Sequence, residues 1–470
     1  MLIRHAVLAG GARADVRIGG GFVAALGERL PPRAGEAVLD AGGGALLPGL
    51  HDHHIHLFAF ATSLASLHCG PPAILTLESL GQCLREHAGR LPASDDAWIR
   101  GIGYHESVAG DIDRAWLDRV VPGRPVRIQH RSGRLWIVNT RGLERLVEGA
   151  GDADLAPLRA SDALATGRLY DLDQWLRRRL GGAPPALHAA SARLASFGVT
   201  GVTDASAHNS RQEFRHFVAA AARGELLQRV IVMGDAGLDD AGEAEGVTRG
   251  PTKIYLRESS LPTFDELCAA IARSHQAGRA IAAHCVTEAE IVFALAALAA
   301  AGSRPGDRIE HASVAPPAVL ALLATQGVTV VTQPNFVRER GDTYLAGVAT
   351  RDVPWLYRGR AFVAARIALA AGTDAPLGHP DPWLAMQAAV DRRTLAGHTL
   401  GGAEALSPEE ALGLFGGDPL APGGGTARIA PGMPADLCVL DRPWSEARPD
   451  LAAVRVMATI RDGRLIWQRR

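Results

Sequence analysis

The segment Pro48-Gly49-Leu50-His51-Asp52-His53-His54-Ile55-His56 ends in two histidines one residue apart. In an extended strand side chains alternate with a period of two, so His54 and His56 share a face while Ile55 points the other way. Two imidazoles converging from one strand end are a natural pair of metal ligands. Taken alone, the cluster of His51, His53, His54 and His56 fits a solvated polar loop equally well. Other apolar runs end in the same fashion. Ala280-Ile281-Ala282-Ala283 ends in His284, Asp307-Arg308-Ile309-Glu310 in His311, and Ala368-Leu369-Ala370-Ala371-Gly372-Thr373 in Asp374. A lone histidine at a strand end is usually just a capped or solvated residue. Four strand ends carrying His, His, His and Asp together point to metal chemistry.

One basic residue stands apart. Lysine and arginine total 49, and Lys253 is the only lysine, so the other 48 are arginine. A coding bias explains the missing lysines but not the one retained. A position that keeps lysine against this background calls for a primary amine, which arginine cannot supply.

These residues need a frame. Short apolar runs occur at Leu46–Leu50, Val199–Val202, Val230–Val232, Ile254–Leu256, Ala280–Ala283, around Ile309, at Val328–Val331 and at Ala368–Ala371, with helix-length spacers between nearly all of them. Eight alternating units predict an α/β fold, a (β/α)8 TIM barrel, whose active sites gather at the C-terminal ends of the strands. Lys253 opens the fourth run, among the ligand-bearing strands. The exceptional spacer, residues 57–198, holds strand-like pieces at Trp98–Ile102 and Val126–Gln129 and reads as an insertion over the barrel mouth. Both chain ends read as short strands with Gly-rich turns: Leu2–Leu8, Ala14–Ile18, Phe22–Leu26 and Ala37–Asp40, then Thr426–Ile429, Asp436–Leu440, Val454–Ile460 and Arg464–Trp467. Each end is too small to close a core alone. The expected organisation is a composite β-sandwich from 1–47 and 425–470 and a barrel over 48–424, with the insertion at 58–190.

Composition narrows the function. Hydrophobic residues are 47% and charged residues 21% of the 470, ordinary values for a soluble enzyme. Lys+Arg is 49 against Asp+Glu 50, a net charge of −1, so neither nucleic acid nor an anionic membrane would meet a net positive field. Five cysteines without CxxC spacing signal neither a disulfide framework nor a cysteine zinc site. The N-terminus has no basic segment followed by a long apolar one, and the Ala-rich stretch 289–301 carries Glu290 and is too short to span a bilayer. A cytoplasmic protein is expected. Its expected partners are a small-molecule substrate and, in a homodimer, a second copy of the chain.

Over nearly its whole length the chain resembles the amidohydrolase superfamily, particularly amidohydrolase family 3, the metal-dependent hydrolases. Pro48-Gly49-Leu50-His51-Asp52-His53-His54-Ile55-His56 is close to the family's PGxxDxHxH. Trp98-Ile99-Arg100-Gly101, Gly198-Val199-Thr200-Gly201-Val202-Thr203-Asp204, Arg308-Ile309-Glu310-His311, Gly372-Thr373-Asp374-Ala375-Pro376 and Gly432-Met433-Pro434-Ala435-Asp436-Leu437 continue the match. The resemblance implies that His54, His56 and Asp374 hold the more buried of two divalent metals and that His284 and His311 hold the second. Lys253, as a carbamate formed with CO2, would bridge them. Zinc is the default for such nitrogen and oxygen ligands.

The same resemblance implies hydrolysis of a C–N bond in an amide, cyclic imide, carbamate or urea by a metal-bridging hydroxide, with Asp374 shuttling the proton. Departures from the family pattern leave the substrate open. Lys253-Ile254-Tyr255 lacks the Asp-Gly that often follows the lysine and is closer to the KIY stretch of cyclic amidases. His284-Cys285-Val286-Thr287-Glu288 replaces HAxGD, and Gln129-His130-Arg131-Ser132-Gly133-Arg134 stands where relatives carry Asp-Gly-His. Tyr104, His105, His130, Arg131, Gln333, Asn335 and His379 are candidates for lining the pocket, each also readable as a solvated loop residue. Two rival functions remain: a mononuclear aminohydrolase that deaminates a heterocycle, and a non-catalytic scaffold with the same fold. The filled lysine position, and Glu288 four residues after His284, count against the first. The six filled ligand positions count against the second.

Overall fold

The computed structural model describes every residue except 72, 93–96, 182–183, 424, 426–427 and 470. Its main sheet has eight parallel strands: β1 (Leu50–Ile55), β2 (Val199–Asp204), β3 (Arg229–Gly234), β4 (Val247–Tyr255), β5 (Ile281–Cys285), β6 (Arg308–His311), β7 (Thr329–Thr332) and β8 (Leu369–Ala371). They pair in chain order from β1 to β8. Helices including Arg211–Ala222, Phe264–Gln276, Glu288–Ala301 and Pro317–Gln326 form the crossovers. A parallel sheet needs both faces covered, and Val202, Val230, Val232, Ile281, Ile309 and Val330 are accordingly buried. The edges meet just beyond β8, where Asp374 N donates to His54 O at 2.8 Å and His56 N to Ala375 O at 2.9 Å. The strands thus form a (β/α)8 barrel, and seven of the eight apolar runs fall on them.

Gly372 makes this closure possible, because a Cβ there would lie 2.3 Å from the His54 backbone nitrogen. Gly372→Ala should therefore wedge β8 from β1, costing about 1–3 kcal/mol by overpacking. Thermal denaturation should show a lower Tm. Gly89→Ala is the control: its added Cβ meets nothing within 4 Å and it lies in the helix Leu77–Arg90, so its Tm should not fall.

The first strand corrects the sequence reading. Leu46–Leu50 is not the first barrel strand: Ala45–Pro48 belongs to the terminal sheet, and β1 starts at Leu50. An apolar run cannot reveal β1, because His51, Asp52, His53 and His54 are all buried in it. Each finds a tertiary partner, although His53 Nδ1 has none among the described residues. His51 Nε2 is 2.9 Å from Thr203 Oγ1, His53 Nε2 3.2 Å from Gly416 O, and Thr373 Oγ1 donates to Asp52 Oδ2 at 2.5 Å.

Both chain ends build a second sheet, also of eight strands. Ala45–Pro48 lies within it, parallel to Leu2–Leu8 and antiparallel to Leu437–Leu440, and so joins the two ends. Ile3, Val16, Leu46, Leu437, Val439 and Ile460 form its apolar core. The expected strand at Thr426–Ile429 is not found. Its first two residues lie outside the described ones, and Ile429 packs against this core from an irregular segment.

Residues 61–185 form a separate compact unit, the barrel and terminal sheet together making the other. Its five-stranded sheet runs Arg168–Tyr170, Leu135–Val138, Val126–His130, Ile99–Tyr104, Leu67–His68. The last three strands are mutually parallel, and the helices Leu77–Arg90 and Arg114–Val120 lie in their crossovers. Leu80, Leu84, Ile99, Val126 and Ile128 form one core, and Trp136, Leu143, Leu146, Trp175 and Leu176 another. Among the described residues no helix is long and apolar enough to cross a membrane.

Candidate metal centre

The ends of β1, β4, β5 and β6 and the segment after β8 bring the six ligand-type residues into one neighbourhood. His54 Nε2 and His56 Nε2 lie 3.7 and 3.2 Å from Asp374 Oδ1. Ligand atoms held tetrahedrally at 2.0–2.1 Å from a zinc ion are separated by about 3.4 Å, and the two distances bracket that value. Ligand atoms of His54, His311 and Asp374 all fall within 4.8 Å of one another. The ring centroid of His311 is 4.8 Å from that of His54 and 4.4 Å from that of His284. Lys253 Nζ is 4.0 Å from Glu310 Oε2.

Outer partners set the orientation of each ring, which is how protein sites prepare imidazoles for a metal. The Glu310 carboxylate accepts from His54 Nδ1, and Gln333 Oε1 accepts from His311 Nδ1 at 2.6 Å. Both acceptors hold the proton on Nδ1 and leave the Nε2 lone pair free. His56 Nδ1 is 3.0 Å from Ser206 Oγ. Among the described residues no such hydrogen bond fixes His284; its ring stacks on Tyr255 instead, at 4.2 Å and 25°.

Lys253 Nζ, His311 Nε2 and Asp374 Oδ1 are buried without a hydrogen-bond partner among the described residues. The 3.2 Å approach of His56 to Asp374 is an ion-pair contact rather than an aligned hydrogen bond. Each orphaned buried polar group costs about 1–3 kcal/mol, so neighbouring orphans of ligand type are tolerated where a bound group completes them. The residues therefore fit a divalent metal with nitrogen and oxygen ligands.

The electrostatics agree. Burial, with the Lys253 charge, depresses the His54 imidazole to about 3, and burial also lowers His284 and His311, so these rings are neutral and able to coordinate. Burial pushes the Asp374 carboxyl up, but His56, His54 and His311 outweigh it and hold the group below the ordinary range. Burial lowers His56, and its carboxylate neighbour Asp374 more than reverses this. Burial also lowers the Lys253 ammonium, favouring the free amine.

Backbone strain marks the same spots. His311 and Asp374 adopt left-handed φ angles of 72° and 55°, conformations that cost about 1–3 kcal/mol in a non-glycine residue. Strict alternation would send Glu310 and His311 to opposite faces. The turn at His311 ends the pleat, so Glu310 reaches Nδ1 of His54 while the His311 ring packs beside it.

The candidate lining residues fall in different places. Gln333 and Asn335 are buried, the first against His311 and the second donating to Thr373 O at 2.9 Å, so both brace the centre. His379 is exposed, its amide donating to Glu339. Tyr104, His105, His130 and Arg131 belong to the 61–185 unit, and Tyr104 is buried there with its hydroxyl donating to Gly110 O at 2.5 Å. Sequence reasoning gave no role to Glu310, Asp52 or Ser206. Glu310 had a signal: Arg308 and Glu310 stand two apart in an otherwise buried strand, as a buried ion pair does, and Arg308 Nε donates to Glu310 Oε1 at 2.5 Å.

Comparison with known proteins places the chain. An N-substituted formamide deformylase of Arthrobacter pascens is 26% identical over 97% of this chain and 95% of its own length. The crystal structure of a metal-dependent hydrolase of Pyrococcus horikoshii matches with a TM-score of 0.76 at 20% identity, covering 95% of this chain and 98% of that one. A 5-methylcytosine deaminase of Klebsiella pneumoniae matches at 0.54 and 14% identity, over 100% and 98% of the two chains, so fold alone does not choose the reaction. Residues 37–467 match the amidohydrolase family as a whole. The chain belongs to the amidohydrolase family.

Proposed function

We propose that the protein hydrolyses a C–N bond of an amide, cyclic imide, carbamate or urea at a binuclear centre. His54, His56 and Asp374 would hold one divalent ion, zinc by its ligand set, and His284 and His311 the other. Lys253 would bridge them as a carbamate, its nitrogen bonding CO2 and releasing a proton. The observation that carries this reading is the set of buried, unpartnered Lys253 Nζ, His311 Nε2 and Asp374 Oδ1 atoms. When bound, such metals lower the pKa of a coordinated water and polarise a carbonyl. Asp374 would then take the proton of the attacking water and return it to the leaving nitrogen, so that an amide yields a carboxylic acid and an amine, a urea a carbamic acid and an amine, a carbamate a carbonic acid monoester and an amine, and a cyclic imide its ring-opened acid-amide. Glu310 holds the His54 ring through this cycle and Gln333 holds that of His311.

The deformylase relative makes N-substituted formamides the first compounds to assay, followed by hydantoins, N-acyl amino acids, ureas and carbamates. Deamination ranks below hydrolysis because Glu288 is exposed and makes no hydrogen bond to the centre among the described residues.

His54→Ala and His311→Ala should each lower metal content and abolish hydrolysis while leaving the far-ultraviolet circular dichroism unchanged, because the apolar barrel core is built separately. Wild-type turnover with full metal content in either variant would rule out this ligand set.

A further inference from the structure

His105 and His130 end two adjacent parallel strands of the 61–185 unit, where Tyr104 and His130 are register partners. The two histidines sit in the same local turn, His-x-Ser. Ser107 N donates to His105 Nδ1 at 3.2 Å and Ser132 N to His130 Nδ1 at 3.1 Å, with the serine hydroxyls 2.8 and 2.7 Å from the same nitrogens. Each Nδ1 is thereby tied to its own turn, and both Nε2 atoms approach Glu106. Glu106 Oε2 lies 3.1 Å from His130 Nε2 and 3.6 Å from His105 Nε2. The rings are stacked at 5.8 Å and 27°.

An exposed histidine–carboxylate pair contributes about 0–1 kcal/mol, and one histidine would suffice for it. Two matched turns that aim two imidazoles at one carboxylate oxygen provide something else. They supply three ligand atoms within 4.8 Å of one another, with edges of 3.1 and 3.6 Å on either side of the roughly 3.4 Å expected for tetrahedral zinc. The side chains of His105, His130 and Glu106 are 26%, 13% and 46% exposed, which leaves the remaining positions to water and the ion free to exchange.

We propose that His105, Glu106 and His130 form a second transition-metal site, distinct in its ligands from the barrel centre. Imidazole with carboxylate selects zinc-like ions over magnesium and calcium, which prefer all-oxygen sites. The amide N–H bonds now put the ring proton on Nε2. Binding through Nε2 requires each ring to carry its proton on Nδ1 instead, which gives up the amide N–H bond to that nitrogen. The serine hydroxyl can rotate to accept it there, so Ser107 and Ser132 are positioning residues for the metal form.

The test is zinc titration of the full-length, metal-stripped chain, with stoichiometry and affinity both read. His105→Ala combined with His130→Ala should bind one equivalent fewer than wild type, whereas His54→Ala should keep this equivalent. Glu106→Gln, which preserves size and hydrogen bonding, should weaken it at least tenfold. Ser107→Ala with Ser132→Ala leaves all three ligands in place and should weaken it about 10–100-fold. Cobalt bound at this site in the His54→Ala chain should give visible absorption bands that the His105/His130 double variant lacks. Equal zinc stoichiometry and affinity in wild type and the folded double variant would overturn the proposal. Magnesium binding as tight as zinc would overturn its ligand chemistry. Loss of the barrel equivalents alone would count against the barrel reading and leave this site standing.

Discussion

Lys253→Arg should lose the proposed binuclear centre and, with it, hydrolysis. The substitution keeps the positive charge and nearly the length, and at an exposed ion pair it would cost little. At this position the side chain is only 2% exposed, and Nζ has no hydrogen-bond partner among the described residues. A guanidinium cannot become a stable carbamate, and it cannot shed its charge beside the imidazoles of His54, His284 and His311. Elemental analysis should show metal loss, and turnover should fall to background. Because Lys253 is the only lysine, side-chain chemistry reports it directly. Protein prepared with 13C-labelled bicarbonate should show a carbamate carbon signal that the variant lacks. Stripping the metals should restore an amine that amine-reactive reagents modify beyond the N-terminus. A variant with both metals and wild-type turnover would make Lys253 an ordinary structural residue.

Asp374→Asn would remove the proposed proton acceptor while conserving shape. General acid–base groups contribute roughly 10²–10⁴-fold, so kcat should drop by that factor, with the metal content of the assayed protein determined alongside. Asp374 lies within 3.7 Å of both His54 and His56, at a backbone angle that only a constrained site sustains. A change confined to KM, with kcat intact, would reduce Asp374 to a substrate-positioning role.

Much of this centre was legible in the sequence for physical reasons. The period of two made His54 and His56 neighbours before any fold was known, and both imidazoles do approach Asp374. Lys253 stood out because a bias toward arginine turned one retained amine into a signal. The eight barrel strands announced themselves as apolar runs wherever their side chains face apolar neighbours. β1 did not, because its four polar residues find their partners in Thr203, Gly416, Thr373 and Glu310, which lie 150 or more positions away along the chain. The same cause hid the part played by Glu310: its partner His54 is 256 positions distant. Gln333 read only as a candidate for lining the pocket, and tertiary structure shows its Oε1 held by His311. The stretch 58–190 read as an insertion because the spacer that holds it is far longer than one crossover, and the structure bounds the compact unit at 61–185. Its two cores, built largely from residues on different elements, are invisible to a run-by-run reading.

The most direct measurement is the number of metal equivalents per chain, by elemental analysis, in protein carrying His105→Ala and His130→Ala so that only the barrel is counted. A hydrolase of the proposed kind should hold two equivalents, both lost when Lys253 is replaced by arginine. One equivalent insensitive to Lys253 would instead support a mononuclear deaminase, and none would contradict metal catalysis at this centre.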